Sequence, residues 1–182
     1  MQFRDTTERF GSVTKTLHWI IAILFVTQFY LIYWKESMLP VKSPLANFYI
    51  NGLHKPLGIV ILCLAIFTIL WRFHSPRPLF PNTMQSWEVI SARLVHFILY
   101  LILLIMPISG FMMSSAAGYP PNFFGLFQFP LWIEVNKEMS KFFFDIHQMT
   151  SFVAIALVTL HILAALKHHF IQKDNILKRM LP

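Results

Sequence analysis

Four stretches of this chain stay apolar for long enough to cross a bilayer, and that feature constrains its fold more than any other. They run approximately over residues 17–34, 53–73, 94–113 and 147–170. A hydrocarbon core of ~30 Å needs about 20 helical residues. Backbone groups cannot go unpaired in lipid, so each stretch is predicted to be an α-helix. Composition agrees: the 182 residues are 56% hydrophobic and only 13% charged, against roughly 25% charged in a soluble domain. A soluble chain this short cannot cover so much apolar surface. The expected fold is an all-α membrane protein, an antiparallel bundle of four transmembrane helices forming a single domain over residues 1–182.

The formal charge of +7 suggests nucleic acid only if the basic residues share a water-facing surface. Here they lie between the apolar runs, so the expected partner is the lipid bilayer and not a nucleic acid. One cysteine, Cys63, excludes an internal disulfide framework and any zinc or iron–sulfur site built on cysteines. The first apolar run ends in Tyr30, Tyr33, Trp34 and Lys35 without a small-residue cleavage pattern. It is therefore expected to be a retained helix and not a signal peptide.

Lysine and arginine set the orientation. Arg4, Arg9, Lys15, Arg72, Arg77, Arg93, Lys167, Lys173, Lys178 and Arg179 fall on one side, and Lys35, Lys42, Lys55, Lys137 and Lys141 on the other. The richer side carries both termini, which places them in the cytoplasm. The connection from Ser114 to about Asp145 then faces outward. Its Tyr119-Pro120-Pro121 start and its series Phe123, Phe124, Phe127, Phe129 and Trp132 predict a flap on the membrane surface. Asp145 is the one acid expected at a span edge.

The eight histidines carry the functional signal. His147 and His161 are fourteen residues apart on the fourth span, roughly 21 Å along a helix axis and within ~40° of one face. That is the stripe needed to ligate two haem irons stacked across a membrane. Each iron then needs a second axial ligand at the same depth, and His54 matches His147 while His18 matches His161. Neutral imidazole is a strong axial ligand, and its second N–H anchors the ring. Intramembrane ionisable groups are costly enough to point to function, although a single histidine also serves as a helix–helix hydrogen bonder.

Further residues extend the pattern, each with a plainer alternative. Arg72 and Lys55 are candidate propionate partners, and Arg72 is equally a positive-inside anchor. His168, seven residues past His161, offers a handle for a quinone carbonyl or simply a basic helix end. His96 is a second wall for that quinone pocket or a structural histidine. Pro107 and Gly110 bend the third span, and Gly58 with Ala154, Ala164 and Ala165 lets a flat macrocycle approach the backbone.

These residues resemble the bacterial cytochrome b561 family, which is similar to the di-haem cytochrome b subunits of membrane hydrogenases and formate dehydrogenases. The resemblance covers nearly the full length. It rests on Leu17-His18-Trp19, His54-Lys55-Pro56-Leu57-Gly58, Leu70-Trp71-Arg72, His96, His147 and His161. The most specific piece is the tail Ala164-Ala165-Leu166-Lys167-His168-His169-Phe170, continued by Lys173-Asp174-Asn175 and Leu177-Lys178-Arg179-Met180-Leu181. Pro56 departs from the small polar residue of many relatives.

The resemblance implies two b haems with bis-histidine ligation, the outer held by His54 and His147 and the inner by His18 and His161. It also implies a bacterial inner-membrane oxidoreductase that passes electrons from a periplasmic-side donor to membrane quinone. Superoxide is one donor described in the family. The outer lysines are nearly balanced by Glu36, Glu134, Glu138 and Asp145, so charge alone does not single it out. The alternative is a haem-containing anchor and electron conduit for a larger dehydrogenase or a periplasmic redox protein. A histidine-lined metal transporter fits less well, since a transport path mixes in carboxylates.

Overall fold

A computed structural model describes residues 2–40 and 43–181; Lys42, counted above on the outer side, lies outside the described residues. Four helices long and apolar enough to span a membrane are present: α1 Ser12–Met38, α2 Pro44–His74, α3 Ser86–Ala116 and α4 Lys137–Gln172. A short α5, Ile176–Met180, closes the chain, and strands β1 Asn122–Phe123 and β2 Phe127–Gln128 form an antiparallel hairpin between α3 and α4. At 1.5 Å per residue the four long helices measure roughly 40–54 Å, so each projects beyond the hydrocarbon into the headgroup layers.

The helices outrun the apolar runs because the flanking residues are helix-start signals. Ser43 caps α2 by accepting from the Ala46 N–H, with Pro44 in the first turn. Gln85 and Glu88 form a reciprocal capping box at the start of α3. Asn136 accepts from the Met139 N–H at 3.0 Å, and Glu138 lies in the first turn of α4. The expected flap is accordingly shorter than residues 114–145. It is the segment between Ala116 and Lys137, pinned by Asn136 N–H to Ala116 O at 2.9 Å. Phe111 of α3 holds it by packing on Phe129 and on Trp132, at ring centroids 5.6 and 4.4 Å away.

Close backbone packing joins α1 to α2, α2 to α3 and α3 to α4. Small residues permit it: Ala65 and Ala154 are fully buried, and Ile61 and Ile102 are buried as well. Much of the outward surface is apolar, with Ile23, Val26, Phe67 and Phe152 all more than half exposed. Such a surface suits acyl chains and not water.

Both ends of the chain meet at one end of the bundle. Trp19 Nε1 donates to Met180 O at 2.9 Å, and Lys15 Nζ to Leu181 O at 2.6 Å. The N-terminal segment folds back over this end. Asp5, fully buried, accepts from Gly11 N–H at 2.7 Å and Thr14 Oγ1 at 2.9 Å, and pairs with Arg72 at 3.4 Å. Gly11 is required there, because a Cβ would lie 2.3 Å from Phe3 O.

Candidate functional site

The third helix builds the seat of His147. Pro107 interrupts its hydrogen-bond ladder, and next to the proline Met106 O accepts a hydrogen bond from His147 Nδ1 at 2.8 Å. Ser109 Oγ lies 3.3 Å from the same nitrogen and donates to Met106 O. A carbonyl only accepts, so Nδ1 carries the proton and Nε2 keeps its lone pair. Gly110 makes room: a Cβ there would stand 3.1 Å from His147 Cε1. The Pro–Gly pair, expected only to bend the helix, thus orients a histidine.

His54 is placed by a π-helical turn, Phe48–His54, inside α2. Such turns shift helical register and recur at functional sites. Gln28 of α1 donates from Nε2 to His54 O at 2.9 Å, tying the end of that turn to the neighbouring helix. His54 Nδ1 is buried and unpartnered. Its ring faces His147 with 6.2 Å between centroids and 81° between planes.

The second pair lies toward the end where the termini meet. His18 of α1 faces His161 of α4, with centroids 6.3 Å apart and planes at 60°. Trp19 packs edge-on against His18 at 5.4 Å. His96 of α3 lies beside this pair, its ring 5.2 Å from that of His161.

Two facing imidazoles at these separations fit a metal with two axial ligands. An imidazole nitrogen binds a metal ion at about 2 Å, so two rings on opposite sides of one ion hold their centroids roughly 6 Å apart. Both gaps match. Among the described residues no three His, Cys, Asp or Glu side chains converge on a metal-binding point. Two nitrogens without a cage suit an iron whose other four ligands come from a porphyrin, and the unpartnered His54 Nδ1 shows a ring packed without regard to local hydrogen bonding.

The surrounding candidates are disposed as follows. Arg72 lies on the cation–π side of Phe10 at 5.5 Å and pairs with Asp5. Lys55 directly follows His54 and makes no ion pair among the described residues. Gly58 faces Gln28 Nε2, 3.5 Å from where a Cβ would stand. His168 opens a second π-helical turn, His168–Gln172, and is buried, with Nδ1 2.6 Å from Asp174 Oδ2.

Several members of this constellation escaped the sequence reading. Gln28, Met106, Ser109 and Asp174 carry no periodic signal, although a Pro-x-Ser-Gly run at the depth of His147 marks the carbonyl that anchors it. Glu88 is a correction. With α3 beginning at Ser86, it is a buried acid at a span end, accepting from Lys167 Nζ at 2.7 Å and Gln172 Nε2 at 2.9 Å. Asp145, by contrast, is exposed and paired with Lys141.

The profile of the family described as "Prokaryotic cytochrome b561" matches residues 9–182. Cytochrome b561 homolog 2 of Escherichia coli (strain K12) is 34% identical, over 100% of this chain and 95% of its own length. Cytochrome b561 homolog 1 of the same organism is 29% identical, over 96% and 97%. The Yersinia pestis protein named "Probable superoxide oxidase CybB" is 28% identical, over 91% and 92%. With four membrane-spanning helices and histidines paired across them, this chain belongs to the prokaryotic cytochrome b561 family.

Proposed function

We propose that the chain is a di-haem cytochrome of the bacterial inner membrane that passes electrons from a donor at its outer face to membrane quinone. It acts as one domain with both termini in the cytoplasm. The observation that carries this reading is the near-equality of the two histidine gaps, 6.2 and 6.3 Å. Family membership makes a b-type haem and membrane electron transfer the common property. The pairing assigns His54 with His147 to one haem and His18 with His161 to the other.

Haem held by each pair would supply reversible single-electron transfer. The chain's own residues do the rest. Met106 O fixes the His147 tautomer, and Gln28 fixes the backbone of His54. Lys55, directly after His54, and Arg72, near the C-terminal end of α2, are assigned to the propionates. His168 and His96 are assigned to quinone. Reduction of a quinone consumes protons, and His168 next to Asp174 is suited to deliver them. Protonated, it donates Nδ1–H to the carboxylate and keeps Nε2–H for a carbonyl oxygen. The name of the Yersinia pestis relative makes superoxide the first donor to try.

The test is purified protein in mild detergent, with haem and protein quantified together and quinone reduction followed with superoxide as donor. Two low-spin b haems per chain and catalysed quinone reduction are expected. His168→Ala should slow quinone reduction by ~100-fold at unchanged haem content. Full haem with no quinone reduction would instead support the anchor-and-conduit reading. A colourless preparation with ample haem supply would sink both.

Gly110→Val offers a check on the outer pair. Its branched side chain forces the His147 ring off Met106 O, so the variant should lose the haem at that pair and keep the other. Retention of both haems with unaltered spectra would show that the close approach does not orient His147.

A further inference from the structure

At the end of the bundle where the termini meet, a cleft of ≈ 660 Å³ opens between the N-terminal segment, the connection from α2 to α3, and α5. Its lining carries Arg9, Lys15, Lys178 and Arg179 against a single carboxylate, Glu8. Their hydrogen-bonding capacity is only partly used. Arg179 donates from Nη1 to Leu79 O at 2.5 Å, while its Nε–H is buried and finds no acceptor. Lys15 spends one donor on Leu181 O and has two more. Lys178 is exposed and makes no ion pair among the described residues. A buried guanidinium donor without a partner, beside three further cations, is chemistry suited to an anion.

We propose that this cleft binds the phosphodiester headgroup of an anionic phospholipid. Depth favours a lipid over a soluble phosphate. Lys15 lies in the first turns of α1, and Trp19, one turn on, bonds α5. Trp87, in the first turn of α3, is 58% exposed. Tryptophans mark the interface, so the cleft stands at headgroup level. Its rim is apolar where acyl chains would enter: Leu79 is 69% exposed, with Phe80 beside it. Basic pockets between membrane helices at this level recognise anionic headgroups through this combination of fixed cations and an apolar lip. A bound phosphate would further link the N-terminal arm to α5 and so stabilise the folded state.

The experiment uses the haem-loaded protein, stripped of lipid in mild detergent and titrated with phosphatidylglycerol, phosphatidylcholine or inorganic phosphate. Native mass spectrometry reads the bound lipid, and tryptophan fluorescence reads the thermal midpoint, so neither readout depends on redox activity. We expect a one-to-one phosphatidylglycerol adduct and a raised midpoint, with phosphatidylcholine doing neither. The double variant R9Q/K178Q should bind about 30-fold more weakly with haem content unchanged. If that variant folds poorly, K178E alone tests the same wall from an exposed position. R77Q, on the same connection but outside the cleft, should bind as the parent does. Equal binding of phosphatidylcholine, or of R9Q/K178Q, overturns the proposal. So does displacement of phosphatidylglycerol by millimolar inorganic phosphate, which identifies a free-phosphate site.

Discussion

Replacing His147 by alanine is expected to remove one haem and leave the other. The ring has a defined tautomer held by Met106 O and a partner ring 6.2 Å away. Without it, His54 is left alone opposite a gap. His54→Ala should give the same loss, and the double variant should lose nothing more if both side chains serve one site as proposed. His18→Ala and His161→Ala should behave as a second such pair. Combining His147→Ala with His161→Ala should give colourless protein. The haem-to-protein ratio of each purified variant, with its reduced spectrum, decides the matter. His96 is the competing ligand, since its ring lies closer to His161 than that of His18 does. If His96→Ala empties the inner site and His18→Ala spares it, the inner ligand has been misassigned. The assignment to His18 rests on geometry, since 6.3 Å admits an ion between two rings and 5.2 Å is tight for one.

The second large effect is on stability. Asp5 is a fully buried carboxylate whose oxygens serve Gly11 N–H, Thr14 Oγ1 and Arg72. Thr14 in turn accepts from Trp71 Nε1 at 3.1 Å, so one side chain ties the N-terminal arm to α1 and α2. Asp5→Ala leaves a buried N–H, a hydroxyl and a guanidinium without their acceptor. It should cost about 2–3 kcal/mol of unfolding free energy. Asp5→Asn keeps an acceptor for the Gly11 N–H but loses the charge, and should fall between. Thermal unfolding of the purified variants measures both. A parent-like midpoint for Asp5→Ala would mean that the arm contributes little to the bundle. The same pairing bears on Arg72, whose guanidinium already has a carboxylate partner. A haem propionate held there, as proposed, would share the guanidinium with Asp5.

Hydropathy and helical arithmetic were enough to place the four spans and to put His147 above His161 on one face. Those properties are local and additive: an apolar run of sufficient length is helical in lipid whatever its neighbours do, and fourteen residues of helix fix both a rise and a rotation. The depth match of His54 with His147 and of His18 with His161 followed from the same counting. The helix ends were underestimated because Ser43, Gln85 and Asn136 start helices in the polar flanks, where hydropathy is silent.

What the tertiary structure alone decided is how each ring is held and what each charged group meets. A π-helical turn ahead of His54, a carbonyl next to Pro107, the close approach allowed by Gly110 and the return of Asp5 onto Arg72 all depend on the rotation of one helix against another. No periodicity encodes that rotation. Positions along a helix follow from chain geometry, whereas hydrogen-bond partners between helices follow from packing. The sequence therefore determined where the histidines stand, and the assembled bundle determined which nitrogen of His147 is left free.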